Sequence, residues 1–293
     1  MLHVVVNLGS GGRDHGAIAG EIASAFAAHG VETSIALVTG REVALATRRA
    51  LKEGASVVIA GGGDGTISTV ASVLAGSGAT LGVLPLGTLN HFAKDLRIPL
   101  DIPGAVATIV AGHTIAVDVG EVNGLPFINN SSIGLYPRMV WEREKQRRGG
   151  RRKWLALVVA IGRIWRQYRR VRVVLQHDNE HRVVHTPFVF VGNNQYQIEG
   201  LKLGGRQRLD AGVLHVTMAP GMTRAELVRG MAAALVGRLH DARHFESLSV
   251  KAVTIQARRK RLDVTLDGEL TVVSTPLFFR THPGALRALA PAS

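Results

Sequence analysis

Over the first 115 or so residues, short apolar runs alternate with segments of helical period, and this limits the possible folds more than any other feature of the chain. Leu2–Val6 is an apolar run closed by a Gly/Ser turn. His15–His29 then places Ile18, Ile22 and Phe26 at helical spacing, with Gly30 as a stop. Thr33–Val38 reads as a second strand, Arg41–Lys52 as a helix ended by Gly54, Ser56–Ala60 as a third strand and Thr66–Leu74 as a helix. Thr80–Leu84 is a fourth strand, leading through Pro85-Leu86-Gly87-Thr88 to a helix near Phe92–Leu96. Repeated strand–helix units of this length predict a parallel sheet with helices on both faces.

After about Asp118 the period changes. Val117–Val122, Pro126–Asn130, Arg172–His177, Arg182–Val191, Val213–Ala219, Leu248–Ile255, Leu262–Leu266 and Leu270–Val273 read as strands joined by short turns. Two helical stretches interrupt them, Lys153–Tyr168 and Arg224–Leu239. The expected architecture is an α/β domain with a parallel sheet over residues 1–118, then a β-rich, sandwich-like domain over 119–280. The tail 281–293 is a candidate to return to the first domain.

Composition narrows the classes. Hydrophobic residues at 46% and charged residues at 19% suit a globular chain, not a disordered one. Without cysteine there is neither a disulfide nor a thiolate metal site. No window reaches the roughly 18 to 20 apolar residues that span a bilayer, and the first strand lacks the basic start of a signal peptide. The expected location is the cytoplasm, with contact at the inner membrane face. Lys and Arg number 35 against 22 acids, a net charge of +13 that favours nucleic acid, anionic membrane or phosphorylated substrates. Residues 138–172 hold 13 of those cations and two acids. This segment reads either as an amphipathic helix that docks on anionic lipid, with Trp154 and Trp165 at interfacial depth, or as a core helix with a solvated basic face. Arg258-Arg259-Lys260-Arg261 reads as a solvated turn, and the scattered histidines show no metal-ligand spacing.

The run Gly61-Gly62-Gly63-Asp64-Gly65-Thr66 lies between a buried strand and a helix. Backbone N–H groups and the positive end of a helix dipole meet there, which suits a phosphate, and glycines let the backbone approach it. Asp64 would repel a bare phosphate, so it implies a metal ion or an ordered hydrogen-bond role. A tight turn with Asp64 as cap would look the same in sequence. No Gly-Lys-Ser/Thr follows, so this is not a Walker loop. Asn7-Leu8-Gly9-Ser10-Gly11-Gly12 and Pro85-Leu86-Gly87-Thr88-Leu89-Asn90 are further polar turns after strands. In a parallel sheet all three fall at the carboxyl edge, where such sheets bind ligands.

Gly61–Thr66, Pro85-Leu86-Gly87-Thr88-Leu89-Asn90-His91-Phe92-Ala93-Lys94-Asp95-Leu96 and Leu266-Asp267-Gly268-Glu269 together resemble the diacylglycerol kinase catalytic-domain family, which includes bacterial soluble lipid kinases and sphingosine kinases and is more distantly similar to NAD kinases. The resemblance implies that the first domain binds ATP with Mg2+ and that the second helps to form the lipid site. It implies that Asn7, Ser10, Gly11 and Thr39 lie near the nucleotide, that Gly61, Gly62, Gly63, Asp64, Gly65 and Thr66 hold its phosphates, and that Thr88 and Asn90 line the same pocket. It further implies that Asp267 and Glu269 are the acidic pair that takes the acceptor's hydroxyl proton, without saying which is the base. By residue type alone, Asp-Gly-Glu between two Val-rich strands is also an ordinary hairpin turn.

Three departures stand out. The family's Asn-Pro is Asn7-Leu8 here, its Asn-Asp is Asn90-His91, and the Asp that helps bind a structural magnesium is replaced by Ala211, leaving Asp210 as candidate ligand. The leading expectation is an ATP-dependent kinase for diacylglycerol or a similar lipid, acting at an anionic membrane surface, with a homodimer left open. A NAD kinase or other small-molecule kinase is the second reading. A basic nucleic-acid-binding module is the third, disfavoured by 5% aromatic content and the lack of a recognised reading motif.

Overall fold

The computed structural model describes residues 1–9, 15–134, 171–177, 180–199, 202–226, 229 and 245–292. Ser10 and Gly11 lie outside the described residues, as do all but the last two positions of the basic segment 138–172 and most of the helix expected over Arg224–Leu239. The chain forms two compact units, one of Met1–Val119, Gln207–Gly212 and His282–Ser293, the other of Gly120–Arg206 and Val213–Thr281.

In the first unit β1 (Leu2–Asn7), β2 (Thr33–Val38), β3 (Val57–Gly62) and β4 (Thr80–Pro85) are parallel, in the order β2-β1-β3-β4. From β1 the chain steps out to β2, then crosses back over β1 to β3. Right-handed crossovers therefore place α1 (His15–Ala27) and α2 (Val43–Lys52) on opposite faces, with α3 (Asp64–Leu74) on the side of α2. The packing agrees: α2 lies against α3, and α1 against α5 (Ile102–Ala111), while the short α4 (His91–Asp95) follows β4. A sheet covered on both faces needs strands that are apolar on both, and Val4, Val5, Val6, Val58, Ile59, Ala60, Leu81, Val83 and Leu84 are all buried.

Two elements go beyond the sequence reading, which assigns no helix to Ile102–Ala111 and no strand to the end of the chain. Helix α5 is apolar nearly all round, so it shows no stripe of period 3.6. Its start is nonetheless signalled by Asp101, whose Oδ1 accepts the Gly104 N–H at 2.8 Å, with Pro103 in the first turn. Strand β18 (Leu277–Leu289) has its alternation broken by Pro283 and Gly284, the latter at φ +61. Its last residues, Arg287 and Ala288, run parallel to β4 in the first unit.

The second unit is antiparallel. In one sheet β8 (Val171–His177) pairs with β9 (Glu180–Thr186) and with β15 (Ala252–Ala257), which also pairs with the first part of β18. The other sheet runs in the order β14 (Glu246–Val250), β13 (Leu214–Met218), β10 (Phe188–Asn193), β7 (Asn130–Gly134), β16 (Arg261–Leu266), β17 (Glu269–Ser274). Val173, Leu175, Ile255 and Phe279 from the first sheet form one core with Ile133, Val191, Val216 and Val264 from the second. This is the expected sandwich. Arg182–Val191 and Leu248–Ile255, each read as one strand, are two apiece. Pro187 separates β9 from β10 and Lys251 separates β14 from β15, because in both places the chain changes sheet. Among the described residues no helix is long and apolar enough to cross a membrane.

Candidate active site

Because β1 leads outward to β2 while β3 leads the other way to β4, a crevice opens at the carboxyl ends of β1 and β3. Asn7 ends β1 and spans it. Its Nδ2 donates to Thr66 Oγ1 at 2.8 Å, in the first turn of α3, and its Oδ1 accepts the Gly9 N–H at 3.0 Å. Gly61 and Gly62 close β3, and Gly63 is the N-cap of α3 in extended conformation. A Cβ on Gly62 would meet the Thr66 side chain at 2.6 Å, so the backbone turns onto Thr66 there. The Thr66 and Ile67 N–H groups both donate to Gly63 O, at 2.9 and 3.1 Å, and the helix dipole adds positive potential at the start of α3.

The turn after β4 packs directly on this loop. A Cβ on Gly87 would lie 2.5 Å from Gly63 Cα, so only glycine permits the approach. Asn90, at φ +51 and buried, holds the turn: Oδ1 accepts the Gly87 N–H at 3.0 Å and Nδ2 donates to Gly87 O at 3.0 Å and Pro85 O at 3.3 Å. Thr88 at its tip is exposed. Asp64 makes an ordered hydrogen bond, its Oδ1 accepting the Phe92 N–H at 3.1 Å, and so ties α3 to the start of α4. Asp64 is half-buried, and its Oδ2 carries no hydrogen bond among the described residues.

Thr39, after β2, is exposed, and both its N–H and its Oγ1 donate to Glu42 Oε2, at 2.9 and 2.7 Å. Those two bonds hold the Glu42 carboxyl below its ordinary range, the backbone N–H contributing most. The structure thus brings Asn7, Gly61, Gly62, Gly63, Asp64, Gly65, Thr66, Gly87 and Asn90 to one edge of the sheet, with Thr39 and Thr88 on its exposed margin.

Asp210 stands apart from any metal cluster. It is exposed, its carboxyl is lowered by the hydrogen bond from Arg208 (Nε to Oδ1, 3.0 Å), and among the described residues no three His, Asp or Glu side chains converge as ligands. The sequence reading passes over Asp118, whose two oxygens accept the N–H groups of Gly212 (2.6 Å) and Gly284 (2.9 Å) while only 1% of the residue is exposed. An acid inside the apolar run Ala116-Val117-Asp118-Val119 is the signal that could have found it.

In the second unit Asp267 begins the β16–β17 turn at φ +48. Its carboxylate accepts three consecutive backbone N–H groups, Ile128 at 2.9 Å to Oδ2 and Asn129 and Asn130 at 2.8 and 2.9 Å to Oδ1. Its own N–H donates to Asn130 O at 2.8 Å. Glu269 is exposed at the start of β17. An ordinary hairpin turn needs no such anchoring. Here the acid is fixed in one orientation while staying partly accessible.

The fold thus combines an α/β unit that carries a glycine loop at its sheet edge with an antiparallel sandwich that presents an anchored acid. The family comparisons agree. Residues 1–122 match the diacylglycerol kinase catalytic domain, and residues 142–290 match the YegS C-terminal NAD kinase beta sandwich-like domain. A Pseudomonas aeruginosa protein named "Probable lipid kinase YegS-like" is 33% identical over 253 residues, 83% of this chain and 79% of that one. A diacylglycerol kinase of Staphylococcus haemolyticus is 41% identical over 117 residues, and an uncharacterised protein of Synechocystis sp. is 27% identical over 247. The alignments span 35% and 56% of those two relatives' lengths. The crystal structure of a diacylglycerol kinase of Bacillus anthracis shares the fold, with a TM-score of 0.71 at 21% identity over 99% of this chain and 96% of that one. The chain belongs to the diacylglycerol kinase-like family of lipid kinases.

Proposed function

We propose that the chain transfers the γ-phosphoryl group of ATP to a hydroxyl of diacylglycerol or a similar long-chain lipid. The observation that carries this reading is the anchored Asp267, because the glycine loop alone would suit any kinase of this fold. Phosphoryl transfer through a loose transition state asks little basicity of the protein and much positioning. A carboxylate whose lone pairs already accept N–H groups is a weak base but a rigid acceptor, suited to orienting a lipid hydroxyl and receiving its proton late. The nucleotide phosphates would lie on the N-terminus of α3, against Gly61–Thr66, with Asn7 and Asn90 keeping the loop in shape. The family's divalent metal would neutralise phosphate charge when bound, and Asp64 Oδ2 is the side-chain oxygen at the loop suited to hold it.

The basic segment 138–172 would bring the enzyme to an anionic surface where such a lipid resides, and vesicle sedimentation that ignores anionic lipid content and salt would reject that role. For the site itself, Asp267→Ala should lower kcat at least 100-fold and leave ATP binding, measured by nucleotide titration, within twofold. Near-wild-type turnover in that variant removes the assignment. Glu269→Ala, at an exposed position, should retain more activity than Asp267→Ala.

A further inference from the structure

Arg206 ends β12 (Lys202–Arg206), is 5% exposed and lies in the second unit. Its Nη1 donates to Ile128 O at 2.6 Å and to Asn193 O at 3.1 Å, and its Nη2 donates to Asn129 Oδ1 at 2.8 Å. The guanidinium also lies 5.3 Å from the centroid of the Tyr196 ring. A guanidinium cannot shed its proton, so Arg206 carries its charge into this buried position. Burying a charge is costly unless anions or strong dipoles compensate it.

One peptide group links Arg206 to Asp267. Ile128 O, which accepts from Arg206, and the Asn129 N–H, which donates to Asp267 Oδ1, belong to the same peptide unit. A cation at its oxygen and an anion at its hydrogen polarise that unit in the same sense, and each strengthens the other's hydrogen bond. Asn193 adds a second hold on the same carbonyl, Nδ2 to Ile128 O at 3.0 Å, and its N–H donates to Asn129 O at 2.9 Å. Arg206 and Asn193 thus hold the carbonyls of Ile128 and Asn129, while the N–H groups of residues 128–130 meet the Asp267 carboxylate.

We propose that Arg206 is a positioning residue for Asp267, acting through the Ile128–Asn129 peptide to hold the carboxylate in the orientation that meets the acceptor hydroxyl. The proposal rests on the reading of Asp267 above. Nothing in Arg206's place in the sequence, within the polar stretch Gly205-Arg206-Gln207-Arg208, marks it as different from the many exposed arginines. Its burial and its partners make the difference.

The test compares Arg206→Gln, Arg206→Lys, Asn129→Ala and Asp267→Asn in the full chain, using labelled ATP and diacylglycerol in mixed micelles. Arg206→Gln should lower kcat at least tenfold with KM for ATP changed less than twofold. Arg206→Lys, which keeps the charge, should recover at least a third of wild-type kcat. Asn129→Ala removes one Arg206 acceptor but no N–H, and should lower kcat about threefold. A kcat for Arg206→Gln within twofold of wild type overturns the proposal, as does equal loss in the Lys and Gln variants. If both Arg206 variants fail to fold while Asn129→Ala turns over normally, Arg206 is structural and the proposal also falls. An active Asp267→Asn defeats the underlying reading of Asp267, whereas an inactive Asp267→Asn beside an active Arg206→Gln defeats only the role of Arg206.

Discussion

At the scale of single residues, the loop that would hold phosphate is shaped by contacts no sequence pattern displays. The motif Gly61–Thr66 is plain in the sequence, yet the Asp64 carboxyl turns to Phe92, 28 residues on, and Thr66 is tied to Asn7, 59 residues back. A hydrogen bond of this kind contributes about 1 kcal/mol, so Thr66→Val should raise KM for ATP about fivefold with a smaller effect on kcat, read by steady-state kinetics. Gly87→Ala is more severe, since its new Cβ would collide with Gly63 backbone. It should lose nucleotide binding by at least tenfold in titration. His215 supplies the pH test. It is buried on β13 beside Ser249, and burial holds its imidazole below the ordinary 6.5. The unfolded chain therefore binds a proton that the native site resists. The stability that neutral His215 allows is intact above about pH 6.5 and is lost as pH falls through the native value. The midpoint of thermal unfolding should drop between pH 7.5 and 5.5 in the wild type, and by less in His215→Gln.

Elements were legible where burial imposed a simple period. The parallel strands of the first unit read as unbroken apolar runs because helices cover both their faces, and Thr33–Val38 stands in the structure with the limits read from the sequence. Helix α5 escaped because its apolar residues leave no polar face to define a period, although its cap was visible. Asp101→Ala should cost about 1 kcal/mol of unfolding free energy in urea titration, while an unchanged midpoint would make the Gly104 contact incidental. Strands β9 and β10, and again β14 and β15, were merged because a change of sheet at Pro187 or Lys251 depends on the partner strands, which lie far away in sequence. The buried Asn129 and Asn193 likewise depend on distant partners, since they join Arg206 around the peptide that holds Asp267.

At the scale of the whole molecule, an α/β unit presents the N-terminus of α3 at one sheet edge, and a sandwich presents an anchored acid. The order of the three motifs, from Gly61 through Asn90 to Asp267, was legible because each is local. The acceptor was not, since apolar surfaces select a lipid by shape and composition does not encode shape. The decisive measurement is incubation of the full chain with labelled ATP and magnesium against diacylglycerol, monoacylglycerol, sphingosine, undecaprenol and NAD, with Asp267→Ala in parallel. The account predicts label in a lipid product, strongest for diacylglycerol or a similar long-chain alcohol, and none above background with Asp267→Ala. Label in NAD alone, or undiminished lipid labelling by Asp267→Ala, would contradict it.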